Sequence, residues 1–271
     1  ALEAYVPGEQ PKNMRYIKLN TNESPFPPSL EVAKCVSDEV GCLNLYSDPE
    51  CTKLRAKVAE ICGVKDENVL LTNGSDEVLN FIFMAFGDRT HPFVFPNITY
   101  GFYPVYCKLN NIPYEEIPLN NSFGIDVSDY IGIGKNIVIA NPNAPTGIAL
   151  SREEAERIIS GNRNNVVVID EAYVDFGAES VLPLVNKYDN LIVVQTFSKS
   201  RSMAGARLGY AVACKELIED LNTIKYSTNP YNINRMSMAA GIAALDNNDY
   251  YMKNCKIIEE TRDYTSEKLR K

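Results

Sequence analysis

Leu191-Ile-Val-Val-Gln-Thr-Phe-Ser-Lys-Ser-Arg-Ser-Met-Ala-Gly-Ala-Arg-Leu-Gly-Tyr210 is the stretch on which the reading of this chain turns. Its first half is an apolar run suited to a buried strand, and it delivers Thr196, Ser198 and Lys199 at the strand's end, with Arg207 two helical turns further on. A lysine presented at the mouth of a low-dielectric cleft loses hydration, and its amine becomes available to condense with an aldehyde. The hydroxyls and guanidinium grouped around it suit a phosphate, the arginine as a planar fork and the hydroxyls as single bonds. Taken alone, Lys199 also reads as a solvated lysine ending a strand, which is what single lysines usually are. The rest of the chain decides between the two.

A chain of 271 residues can bury a sizeable core, as one large α/β domain or one domain with a small appendage. With 45% hydrophobic and 23% charged residues and no low-complexity segment or repeat, disorder is excluded. A formal net charge of −8 and a pI near 4.9 argue against a phosphate-backbone partner, because nucleic-acid binders present a basic face. Small molecules are the expected partners. The seven cysteines form an odd set without a C-x-x-C pair, and His91 is the one imidazole that could join them. They read as reduced thiols of a cytoplasmic protein, with no zinc site. No signal peptide opens the chain and no run is long enough to span a bilayer. The start at Ala1 and the charged helical pattern at the other end read as two cut ends.

In order, residues 1 to 28 form an extended arm leading to Asn20-Thr21-Asn22-Glu23-Ser24-Pro25-Phe26. Helices are expected over about Ser29 to Val40 and Cys51 to Cys62, the second stopped by Gly63. The segment from Asn68 to Thr72 reads as a strand, followed by Gly74-Ser75-Asp76 opening an amphipathic helix. Free amides at such a helix start bind phosphate, and Ser75 or Asp76 also reads as an ordinary cap. Strands are expected near Phe93 to Phe95, Tyr114 to Pro118 and Asn136 to Ala140, the last leading through Asn141-Pro142-Asn143-Ala144-Pro145-Thr146-Gly147 to a helix capped by Ser151. The Val-Val-Val-Ile-Asp170-Glu171 run is a central strand that puts Asp170 on the edge where ligands bind in open α/β sheets. The same acids read as a metal-binding pair, but nothing nearby completes a coordination shell. A last strand through Leu208 to Ala213 precedes helices at about Glu216 to Lys225, Ile233 to Leu245 and Asp249 to Leu269.

The segment around Lys199, with Arg-Leu-Gly-Tyr after it, resembles the cofactor-lysine signature of fold-type I pyridoxal-phosphate aminotransferases, in particular the histidinol-phosphate aminotransferase family. Further motifs in family order run from Asn22 to Asn232. The resemblance implies a three-layer α/β/α large domain with a mostly parallel sheet at 29–246, an arm at 1–28, and at 247–271 a connecting helix toward a C-terminal small domain that this chain lacks. It implies pyridoxal 5'-phosphate as cofactor, carried by Lys199. Gly74, Ser75 and Asp76 would form the phosphate turn, with Thr196, Ser198 and Arg207 beside it. Tyr100 would stack on the ring, Asp170 would hold its nitrogen, and Tyr173 would bond its phenolic oxygen. Relatives carry Asn at the position of Ala144, so Asn143 is expected to take that contact. Asn22 would be a substrate contact. Tyr46 would reach the cofactor phosphate of a neighbouring subunit, which implies a homodimer.

The reaction so implied is transamination in histidine biosynthesis, between histidinol phosphate and 2-oxoglutarate on one side and imidazole-acetol phosphate and glutamate on the other. Two other readings stay open. A decarboxylase of a phosphorylated amino acid shares nearly all these motifs, and a chain without the small domain's anion-binding arginines could bind the cofactor yet turn over poorly.

Overall fold

The computed structural model describes residues 8–10, 13–14 and 17–270, so part of the expected N-terminal arm lies outside the described residues. The strands are β1 (Val69–Thr72), β2 (Phe93–Pro96), β3 (Tyr114–Ile117), β4 (Asn136–Ala140), β5 (Val167–Asp170), β6 (Leu191–Thr196) and β7 (Gly209–Ala213). The α-helices are α1 (Leu30–Glu39), α2 (Thr52–Cys62), α3 (Ser75–Phe86), α4 (Tyr103–Asn110), α5 (Arg152–Gly161), α6 (Lys215–Thr228), α7 (Arg235–Asp246) and α8 (Asn248–Leu269). The strands form one sheet in the order β1-β7-β6-β5-β4-β2-β3, parallel throughout except for β7, which runs antiparallel to β6 and β1.

Strands β4, β5 and β6 are near-continuous Val and Ile runs because helices cover both faces of the sheet. Side chains alternate across a strand, so Val167, Ile169 and Val193 face one layer and Val168, Ile192 and Val194 the other. The first layer contains Leu54 of α2, Ile158 of α5 and Ala244 of α7. The second contains Phe83 of α3, Tyr103 of α4 and Leu221 of α6. This is the expected three-layer α/β/α arrangement around a mostly parallel sheet.

Local signals place most element ends. Gly63 takes a left-handed conformation (φ 66°) and closes α2, while Ser151 Oγ accepts the Glu154 amide in a complete capping box on α5. Two expectations are corrected. Neither Ser75 nor Asp76 caps α3: Gly74 occupies the cap position, and the Glu77 carboxylate instead accepts the Asn73 amide at 2.7 Å. No α-helix separates Lys199 from Arg207; turns and one 3-10 turn (Ala204–Ala206) do so, leaving Arg207 itself left-handed at φ 52°.

β7 sets the position of the Gly74 turn because it packs directly beneath it. A Cβ on Gly209 would lie 2.4 Å from the Ser75 nitrogen and 2.6 Å from the Gly74 carbonyl carbon, both backbone atoms that cannot rotate away. We expect Gly209→Ala to cost roughly 1–3 kcal/mol, as overpacking does, and to weaken phosphate binding at the turn. Urea unfolding and phosphate-ligand titration check the two effects; a variant with wild-type stability and affinity contradicts this packing.

Candidate active site

Parallel pairing aligns the carboxyl ends of the central strands: Ala140 sits opposite Asp170, and Asp170 opposite Val194. The residues just beyond these ends line an inner cavity of about 130 Å³. Ser75 and Asp76 come from α3, Tyr100 from the approach to α4, Asp170 and Tyr173 from the end of β5, and Thr196, Ser198, Lys199 and Arg207 from the β6–β7 connection. An outer cavity of about 500 Å³ shares Pro142, Ala144, Tyr173 and Lys199 with it and adds Asn22, Ser24, Phe176 and Arg262.

Lys199 Nζ donates to the carbonyls of Thr21 (2.9 Å) and Asn22 (3.4 Å) and lies 5.4 Å from the centre of the Tyr173 ring. Asn22 Nδ2 donates to the Tyr173 hydroxyl at 3.0 Å, so the arm, the lysine and Tyr173 meet at one point. Asn22 and Thr21 are both left-handed, at φ 50° and 62°, which turns successive carbonyls onto the lysine.

The anion end of the cavity is built on Arg207. Its Nη2 bonds Asp76 Oδ2 at 3.0 Å, and Tyr100 donates its hydroxyl to Asp76 Oδ1 at 2.7 Å. The Asp76 carboxylate therefore serves the arginine and the tyrosine, and its contribution to a phosphate turn is its backbone amide. A Cβ on Gly74 would meet Arg207 Nη2 at 2.5 Å, and Gly74 is left-handed (φ 86°), so only glycine admits the guanidinium this close to the turn. The first amides of α3 have no partner inside the helix and, with Ser198 Oγ and Arg207, form an anion-binding donor set.

Asp170 is 5% exposed. Its Oδ2 accepts the Tyr103 hydroxyl at 2.9 Å and its Oδ1 the Ala172 amide at 3.2 Å. Burial pushes its carboxyl up to about 6, against the lowering effect of those two bonds. Glu171 points to the opposite face of the sheet, where Ser180 Oγ, the Val181 amide and Gln195 Nε2 all donate to it, and burial pushes it up to about 7. The two acids are thus held apart, which disposes of the metal-pair reading.

Two expected contacts are not seen within the chain. Asn143 does not line the inner cavity: its Oδ1 accepts Thr99 Oγ1 at 2.8 Å, and its Nδ2 donates to Ile98 O at 2.9 Å and Thr146 Oγ1 at 3.1 Å. Its amide is fully committed to holding the loop, and Ala144 occupies the cavity wall. Tyr46 is 80% exposed and stacks on Tyr231, 4.6 Å between ring centres, away from both cavities. Sequence reading missed Tyr103, whose buried ring looks like plain core, and Arg262, whose Nη1 donates to Phe176 O at 3.1 Å beside the outer cavity.

The profile of the aminotransferase class I and II family matches residues 15–271. The chain belongs to that family. Within it, the chain is 50% identical over 272 residues to a histidinol-phosphate aminotransferase of Brachyspira hyodysenteriae, covering 100% of this chain and 77% of the relative. It is 49% identical to histidinol-phosphate aminotransferase 1 of Bordetella parapertussis, covering 99% of this chain and 77% of that one. Among solved structures it is similar to the histidinol-phosphate aminotransferase of Sinorhizobium meliloti in complex with pyridoxal-5'-phosphate, with a TM-score of 0.83, 25% identity, and 90% and 68% of the two chains covered.

The donor set of this aminotransferase site fits a phosphate-bearing aromatic aldehyde: a lysine amine, an aromatic face, a buried acid and an anion cradle that a Cβ at position 74 would fill. The buried acids make the stability of the cofactor-free protein depend on pH. Asp170 holds its proton up to about pH 6 in the folded state but releases it near 3.8 when unfolded, so the native state binds more protons between those values. Stability is then expected to fall as pH rises through that window, and Asp170→Asn should flatten its share of the slope. Urea unfolding of the two proteins from about pH 4 to pH 8 checks this; parallel profiles contradict it.

Proposed function

We propose that this chain is a pyridoxal-phosphate-dependent aminotransferase that exchanges the amino group of histidinol phosphate with 2-oxoglutarate, yielding imidazole-acetol phosphate and glutamate. The observation that carries the reading is the convergence on one cavity of Lys199, Asp170, Tyr100 and the Arg207 anion cradle. Identity near 50% to histidinol-phosphate aminotransferases supports the substrate.

When bound, the cofactor supplies an electron sink for charge developing at the substrate α-carbon. Lys199 would hold its aldehyde carbon and, once freed by the substrate amine, would take a proton from the substrate α-carbon as base and deliver it as acid to that former aldehyde carbon. Asp170 would hold the proton on the ring nitrogen, its low-dielectric surroundings strengthening the attraction. Arg207, Ser198 and the amides of Ser75 and Asp76 would bind the phosphate at the Gly74 turn, whose own amide donates to Thr72 O at 2.9 Å, with Thr196 fixing the other side through the Ser198 amide, which it accepts at 3.1 Å. Tyr100 would clamp the ring face. Tyr173 would orient the phenolic oxygen, itself held by Asn22 at the substrate entrance.

Two further assignments belong to this reading. Residues 29–246 form the cofactor-binding domain, with the arm before them and α8 leading away toward a smaller domain. The protein acts as a cytoplasmic homodimer, the exposed Tyr46 ring being offered to the partner's phosphate site. Among the described residues no helix is long and apolar enough to cross a membrane.

With pyridoxal phosphate, histidinol phosphate and 2-oxoglutarate, wild-type protein is expected to form glutamate and imidazole-acetol phosphate in equal amounts, followed by proton NMR, and Lys199→Ala to form neither. Release of carbon dioxide from a phosphorylated amino acid, with no amino transfer, would move the assignment to a decarboxylase.

A further inference from the structure

We propose that Tyr103 is a positioning residue of this site, its hydroxyl fixing the orientation of the Asp170 carboxylate toward the bound ring. The inference rests on the reading of Asp170 given above. It starts from a geometric fact: Tyr103 is 0% exposed and Asp170 5% exposed, and they meet through one hydrogen bond of 2.9 Å. A buried hydroxyl and a buried carboxylate without a paired cation are each costly to leave unsatisfied, so the bond is strongly held.

The tyrosine can act as a support because its own ring is packed on several sides. Phe95 of β2 packs against it at 5.7 Å, and the Tyr100 ring meets it edge-on at 5.6 Å and 79°. Tyr100 in turn bonds Asp76, which holds Arg207. One rigid chain of contacts therefore links the ring clamp, the anion cradle and the acid. On the carboxylate itself, Tyr103 takes Oδ2 and the Ala172 amide takes Oδ1, which restricts rotation about the side chain and leaves lone pairs on both oxygens.

The groups facing Asp170 from the surrounding elements are Asp76 on α3, Tyr100 and Tyr106 at and on α4, and Lys199 and Arg207 across the cavity. Asp76 raises the acid, and the Tyr103 bond lowers it. Removing the hydroxyl therefore moves the acid upward, so that more of it is neutral near pH 6 to 7 and cannot pair with a protonated ring.

The test is the affinity of the protein for pyridoxal phosphate, titrated between about pH 6 and pH 9, in wild type, Tyr103→Phe and Asp170→Asn. Phenylalanine keeps the buried ring and deletes only the hydroxyl. We expect Tyr103→Phe to bind roughly tenfold more weakly at the acid end, the scale of one hydrogen bond to a charged group, and by a smaller factor at the alkaline end, where the acid is ionised but no longer held in place. Asp170→Asn should bind weakly at every pH. A Tyr103→Phe profile that follows wild type throughout, beside a weakened Asp170→Asn, overturns the role of Tyr103 alone. Wild-type affinity in Asp170→Asn overturns the reading of Asp170. A uniform loss in Tyr103→Phe at all pH values, together with a lowered unfolding midpoint of the cofactor-free protein, means a structural role and also overturns the proposal. Should Tyr103→Phe not fold, the carbon-13 titration of Asp170 in the wild-type cofactor-free protein decides: a midpoint near that of a solvated aspartate is incompatible with a carboxylate held in this buried pair.

Discussion

The parallel register of β4, β5 and β6 is the constraint on which the site depends. Because Ala140, Asp170 and Val194 lie side by side, the residues that follow each strand end must emerge into the same space. The strands hold that register because both faces are buried: a one-residue slip would exchange the layer of Ile169 and Val193 with that of Val168 and Val194. The strand ends then fix Asp170 directly and set the start of the short connection that carries Lys199 three residues beyond β6.

Around that edge, each polar group is held by a second one. Asp76 bridges Arg207 and Tyr100, and Tyr103 and the Ala172 amide hold Asp170. Thr21 and Asn22 carbonyls hold Lys199. The Asp76–Arg207 pair is nearly half exposed on both sides, so water screens it and its value lies in orientation rather than stability. The Asp170–Tyr103 contact is the reverse case, since burial amplifies both its strength and the cost of losing it.

Much of this was legible in the chain. The unbroken apolar runs ending in Asp170 and Thr196 announced doubly covered strands, and Gly74 announced the tight turn under a helix start. What was not legible depended on contacts distant in sequence. Tyr103 reads as a core aromatic at the start of α4, and only folding brings it to Asp170, 67 positions away. Asn143 looked available for a ligand because its sequence neighbours say nothing of Thr99 and Ile98, which consume its amide. Arg207 looked helical by spacing, but the chain reaches it through turns, and its left-handed backbone aims the guanidinium at Gly74. Tyr46 lies far along the chain from Tyr231, and only folding brings their rings together.

The central claim is that Lys199 is the residue that carries the cofactor, and it can be tested without any substrate. The protein is incubated with pyridoxal phosphate, reduced with borohydride, digested, and its peptides are weighed by mass spectrometry. The account predicts a phosphopyridoxyl group on Lys199 at close to one per chain. Labelling spread over surface lysines, or confined to a different one, would contradict it.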